Sequence, residues 1–169
     1  MAGMTRRSEK EPLLKTRFLS HGTLEVIDLQ ESRRFYEEVL GLEVLQHAPI
    51  GLLVRLGGDH VYVAVETPKA EQHEMPLLGH NGLDVGTREE VDDAHATLSA
   101  VREEYGIRKM TKPVDQHGTY AFYVQDLDRN WWEIGHMPPG GHAFRFRDPQ
   151  KYDLTVRDEP QGAPEEQAE

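Results

Sequence analysis

Ser20-His21-Gly22-Thr23-Leu24-Glu25-Val26 and Gly79-His80-Asn81-Gly82-Leu83-Asp84-Val85 are two versions of one phrase. In each, a histidine stands three residues before a Leu-acid-Val run, and such self-similarity points to a repeated supersecondary unit. Asp28-x-x-Glu31 and Thr87-x-x-Glu90 follow at the same distance, each a capping-box pattern that starts a helix. Phe35, Val39 and Leu40 with Tyr36 then form an apolar stripe closed by Gly41; Val91, Ala94, Leu98, Val101 and Tyr105 form another, closed by Gly106.

Strand signals come next in both halves. The first half offers 42–45, 52–56 and 60–65, with Gly57-Gly58-Asp59 as a turn. The second offers a weak strand at 107–112, then 119–124 and 131–134, with 126–130 as the turn. Each half therefore reads β-α-β-β-β. The predicted fold is α+β: two tandem βαβββ modules, about 17–67 and 77–135, forming a curved mixed sheet with helices outside. Residues 1–16 read as a flexible arm, 136–152 as a C-terminal arm whose alternating Ala143-Phe144-Arg145-Phe146-Arg147 could also form an edge strand, and 153–169 as a disordered acidic tail.

Alternate residues of a strand share a face. His21, Thr23 and Glu25 fall together, as do His80, Gly82 and Asp84, and Trp131 shares a face with Glu133. If a pseudo-twofold relates the modules, His21 and His80 are equivalent, and Glu133 adds a carboxylate to two imidazoles. That set suits a divalent transition metal, Fe(II), Mn(II), Ni(II), Co(II) or Zn(II), with coordination positions left open. The plain alternative is that these are ordinary strand residues. Glu25 and Asp84 are candidates to hydrogen-bond the histidines from behind.

Composition narrows the class further. The chain has 169 residues and a net charge of −11, with no cysteine. The length suits one compact domain. The missing cysteines exclude disulfides, zinc ribbons, iron–sulfur clusters and thiol nucleophiles. Acidity argues against nucleic-acid binding. No apolar run approaches the roughly 20 residues of a membrane span, and no apolar signal segment opens the chain, so a cytoplasmic location is expected.

The two histidine phrases, Ser32-Arg33-Arg34-Phe35-Tyr36-Glu37-Glu38-Val39-Leu40-Gly41-Leu42, and the closing 122–134 resemble the vicinal oxygen chelate superfamily. That superfamily includes glyoxalase I, fosfomycin-resistance proteins, methylmalonyl-CoA epimerase, type I extradiol dioxygenases and bleomycin-binding proteins. The resemblance implies a divalent metal held by His21, His80 and Glu133. Members with a fourth ligand take it from the last strand of the first module, a place that falls near Val63 here. This departure favours three-ligand members over glyoxalase, and the three ligands disfavour metal-free bleomycin-type binders.

Among three-ligand chemistries, the resemblance points first to an Fe(II) ring-cleaving dioxygenase acting on a catechol-like compound with O2. Tyr123, ten residues before Glu133, would hydrogen-bond a substrate oxygen, and His117 would shuttle protons. Thr23, Tyr120 and Trp131 are the expected substrate contacts. The alternatives are a lyase, isomerase or transferase of glyoxalase or fosfomycin-resistance type, and a metal-free small-molecule binder. A homodimer is expected, because modules of this superfamily often pair across subunits.

Overall fold

The computed structural model describes residues 5, 8–116 and 118–153. The body is Arg17–Met137, and Met1–Thr16 with Pro138–Glu169 form a separate unit.

Within the body, β1 (His21–Val26) leads into α1 (Leu29–Arg34), which continues as a π-type turn over Phe35–Val39. β2 (Glu43–Ala48), β3 (Gly51–Arg55) and β4 (Val61–Glu66) complete the first module. After a crossover come β5 (Asn81–Asp84), α2 (Arg88–Ala100), β6 (Lys109–Met110), β7 (Val114–Gln116), β8 (Thr119–Gln125) and β9 (Trp131–His136). Both helices start where the capping patterns predict. Asp28 accepts from the backbone N–H of Gln30 and Glu31, and Thr87 accepts from that of Glu90. Gly41 and Gly106 close their segments at φ 66° and 63°, the left-handed region that favours glycine.

Each module forms its own sheet. The first has strand order β1-β4-β3-β2 and the second β5-β9-β8-β6, with β7 on β8. In both, the first strand pairs in parallel with the last. The predicted modules are thus present, while the single curved sheet is divided in two.

One core serves both sheets. Leu24, Val26, Leu52, Val54 and Ala64 of the first sheet cluster with Phe122, Val124, Trp132 and Ile134 of the second, joined by Phe35, Tyr36, Val91 and Leu98 from the helices. Trp132 is fully buried and meets Tyr36 and Tyr62 edge-on, with ring centroids 5.8 and 5.9 Å apart. Each sheet spends its core-facing side on this contact, so the side carrying the histidine phrase turns away from it. His21 and Thr23 are accordingly exposed.

A buried turn fastens the modules together. Asp128 Oδ1 accepts from Ile27 N–H at 2.8 Å and Oδ2 from Ser32 Oγ at 2.6 Å, while Asn130 Nδ2 donates to Glu25 O. Asp126 accepts from the backbone N–H groups of Asp128 and Asn130 and from Trp132 Nε1. The Asp-x-Asp-x-Asn pattern at 126–130 is therefore a hydrogen-bonded joint, its carboxylates consumed by protein donors.

In the separate unit, helical structure is confined among the described residues to the segment after Gly140. Gly141–Arg147 is a 3-10 turn and Pro149–Tyr152 a short helix, α3. The alternation at 143–147 therefore winds rather than extends, with Gly140 at φ 92° at its start.

Candidate functional site

Strand register places the chemistry. In the second sheet Gly82 pairs with Glu133, and Glu133 with Tyr123. His80 immediately precedes β5, behind the 3-10 turn Leu77–Gly79. Its Nδ1 lies 2.7 Å from Leu77 O. A carbonyl can only accept, so Nδ1 carries a proton, and in the neutral ring Nε2 is then the nitrogen that can ligate. Nε2 points to Glu133 Oε2 at 3.4 Å. Glu133 is buried, its side chain 8% exposed, and Tyr123 Oη stands 3.4 Å from its other oxygen. The rings of His80 and Tyr123 meet at 4.8 Å.

Both contacts of the Glu133 carboxylate are longer than an ordinary hydrogen bond. A buried carboxylate, an imidazole nitrogen and a phenol meet around one point, and of these His80 and Glu133 are residue types that could hold a divalent metal. Leu77 O supplies the orienting partner that metal-bound histidines use. Burial, and next the Glu133 carboxylate, push the Tyr123 phenol above its ordinary pKa, so it keeps its proton. Gly82 leaves room beside Glu133: a Cβ there would sit 3.7 Å from Oε2 and 3.8 Å from Met137 Cε.

The remaining sequence-predicted residues divide sharply. Trp131 lies on the Glu133 face of β9, 7% exposed, with its backbone N–H toward Met75 Sδ at 3.5 Å. Tyr120 is corrected. It sits an odd number of residues from Tyr123 on β8, hence on the opposite face, where its hydroxyl donates to Asp92 and Arg88 covers its ring. His117 lies outside the described residues.

His21 is not brought to His80 and Glu133. No cluster of three or more metal-capable side chains occurs among the described residues. The reason is the shared core, which sets the histidine-bearing sides of the two sheets apart. His21 Nδ1 is instead 2.8 Å from Ser20 Oγ. Thr23 shares its open face. Glu25 does not support a histidine of the phrase: its carboxylate accepts from the backbone N–H of His73 and meets His73 Nδ1, and that backbone bond first, then the ring, lowers its pKa. Asp84 accepts from Met137 N–H, leaving His80 to Leu77.

Two participants were not anticipated. Leu77 acts through its carbonyl, which no side-chain pattern announces. Gln116 donates from Nε2 to Tyr123 Oη at 2.5 Å. Its hairpin register opposite Thr119 places it on the Tyr123 face, a parity readable once β7 is recognised as a strand.

The sequence profile of the glyoxalase/bleomycin resistance protein/dioxygenase superfamily matches residues 19–134. The chain belongs to this superfamily. No curated protein is similar enough in sequence to count as a relative. Among solved structures, the superfamily fold recurs in a fosfomycin resistance protein from Listeria monocytogenes, complexed with Mn(II) and sulfate. That protein is 19% identical at a TM-score of 0.56, the match covering 78% of this chain and 98% of that one. A glyoxalase/bleomycin resistance protein/dioxygenase from Nocardioides is 20% identical at 0.54, covering 76% and 88%. Lactoylglutathione lyase from Agrobacterium tumefaciens is 19% identical at 0.53, covering 72% and 94%. At these identities the similarity is one of fold within the superfamily. No helix among the described residues is long and apolar enough to cross a membrane.

Proposed function

We propose that the chain is a metal-dependent vicinal oxygen chelate enzyme, an Fe(II) ring-cleaving dioxygenase of catechol-like aromatics. The observation that carries this reading is the meeting of His80 Nε2, the buried Glu133 carboxylate and a protonated Tyr123 on one sheet face. Beside Glu133 stand the Tyr123 phenol, which the Gln116 amide contacts, and Gly82, groups suited to a phenolic ligand.

The third ligand in this reading is His21 of a second copy. The first sheet exposes the row Thr23, Val63, Leu53 and Leu45, which strand pairing aligns across all four strands. Leu45 is 59% exposed, an apolar face beside His21 that a second copy's Glu133 face would cover. A homodimer then completes two sites, and Thr23 joins Trp131 as a substrate contact.

When bound, the metal supplies charge neutralisation for two adjacent substrate oxygens and a place for O2. The chain's own residues do the rest. Leu77 O holds His80 in the ligating tautomer, burial keeps water from Glu133, and Tyr123 donates its hydroxyl proton to a substrate oxygen. His117 is the proposed proton shuttle. Ring cleavage consumes one O2 per catechol and places both oxygen atoms in the ring-opened acid.

The test is metal content and affinity after anaerobic purification, comparing Fe(II), Mn(II), Co(II), Ni(II) and Zn(II), followed by an oxygen electrode with a panel of catechols. Fe(II) preference with one-for-one O2 uptake supports the reading. Turnover of a hemithioacetal with Ni(II) or Zn(II) would replace it with a lyase, and thiol addition to an epoxide with Mn(II) would replace it with a transferase. The absence of specific metal binding would leave a small-molecule binder.

A further inference from the structure

The β7–β8 hairpin has two differently employed faces. On one, Arg88 of α2 grips Asp115 with both terminal nitrogens at 2.6 and 2.7 Å, and its guanidinium lies 4.0 Å over the Tyr120 ring. Tyr120 Oη adds a bond to Asp92, also on α2. The hairpin is thereby fastened to the helix. On the other face, Gln116 reaches along the sheet to Tyr123 Oη at 2.5 Å.

The direction of that bond matters. An amide N–H can only donate, so the phenol oxygen must accept and its own proton has to go elsewhere. The acceptor on offer is Glu133 Oε1 at 3.4 Å, beyond the usual O–H···O range. The hydroxyl is thus aimed toward the carboxylate without being firmly held by it.

We propose that Gln116 is a positioning residue: by donating to Tyr123 it turns the phenol O–H toward the Glu133 side, ready to donate to a substrate oxygen. The identity of that oxygen rests on the reading above; the orientation of the hydroxyl does not. Gln116→Glu is the informative variant, because a carboxylate can only accept and would draw the proton back to the hairpin. Gln116→Leu removes the guide without offering a competing acceptor.

Two measurements test this. In metal-free protein, the Raman Fermi doublet of the Tyr123 ring, isolated by subtracting the Tyr123→Phe spectrum, distinguishes an accepting from a donating phenol. Acceptor-type intensities are expected in the wild type and donor-type intensities in Gln116→Glu. In Zn(II)-loaded protein, 4-nitrocatechol affinity should fall about tenfold in Gln116→Glu, matching Tyr123→Phe, and less in Gln116→Leu. Zn(II) affinity should hold in all three. A doublet unchanged between wild type and Gln116→Glu, or equal 4-nitrocatechol affinity in the two, overturns the proposal. If wild-type protein binds no 4-nitrocatechol, the catechol reading falls and the Raman result alone decides the role of Gln116.

Discussion

Glu133 and Val63 hold the same place in the two sheets. Each pairs with the residue two beyond the phrase histidine, Gly82 in one sheet and Thr23 in the other. The same correspondence matches Tyr123 with Leu53, so the repeat is symmetric in backbone and one-sided in chemistry. The carboxylate and the phenol belong to the second sheet, and the first contributes a histidine and an apolar field.

The asymmetry makes metal binding depend unequally on the equivalent positions. His80→Ala and Glu133→Gln should each weaken divalent-metal affinity at least about a hundredfold, a ligand counting for no less than the groups behind it. Val63→Ala should leave it unchanged. Isothermal titration with Mn(II) checks this, and a Glu133→Gln protein that binds Mn(II) like the wild type would remove Glu133 from the ligand set.

Leu53→Lys probes the open face of the first sheet. A lysine there should convert a sedimenting dimer to a monomer and lower metal affinity in parallel, with the far-UV circular dichroism intact. A wild-type protein already monomeric at micromolar concentration would sink the assembly that brings His21 to Glu133.

Ser32→Ala removes the hydroxyl donor to the buried Asp128 carboxylate. The expected loss is about 2 kcal/mol of folding stability, the scale of a hydrogen bond to a charged group left unmade. Urea unfolding measures it directly, and a change within a few tenths of a kcal/mol would show that Ile27 N–H alone suffices for Asp128.

Asp126 introduces a pH dependence of known sign. Burial, and then Asp128, raise its pKa to about 7, against the opposing N–H bonds of Trp132 and Asn130. The unfolded chain releases the same proton near the ordinary aspartate value of about 4. Between these values the folded state binds more protons, so this group's contribution to stability falls as pH rises from about 4 to about 7 and levels above. Asp126→Asn loses an acceptor for Trp132 and should be less stable at every pH. Its urea midpoint should nonetheless decline less than that of the wild type across this window; equal slopes would mean Asp126 is ionised throughout.

Much of this was legible in the sequence because periodicity and capping are local. The repeat, both helix starts and the turn glycines Gly41 and Gly106 all follow from residue spacing. Tyr120 lies off the site because three residues, an odd step of strand parity, separate it from Tyr123. The separation of His21 from His80 was not readable, because local patterns say which side of each sheet is apolar but not that both apolar sides would meet in one core around Trp132. Leu77 escaped notice because its contribution is a backbone carbonyl. The winding of 143–147 went unread because alternating Phe and Arg mimic a strand.

The joint at 126–130 bears on how this architecture can be cut and recombined. Its carboxylates belong by sequence to the second half but find their partners at Ile27 and Ser32 in the first. Moving the second βαβββ unit into another scaffold would strand Asp128 without these donors, and moving the first would leave the Ser32 hydroxyl only the Asp28 carbonyl, 2.7 Å away, as acceptor. The heritable, transplantable unit here is the pair, and a chimera that respects this would exchange Ser32 and Asp128 together.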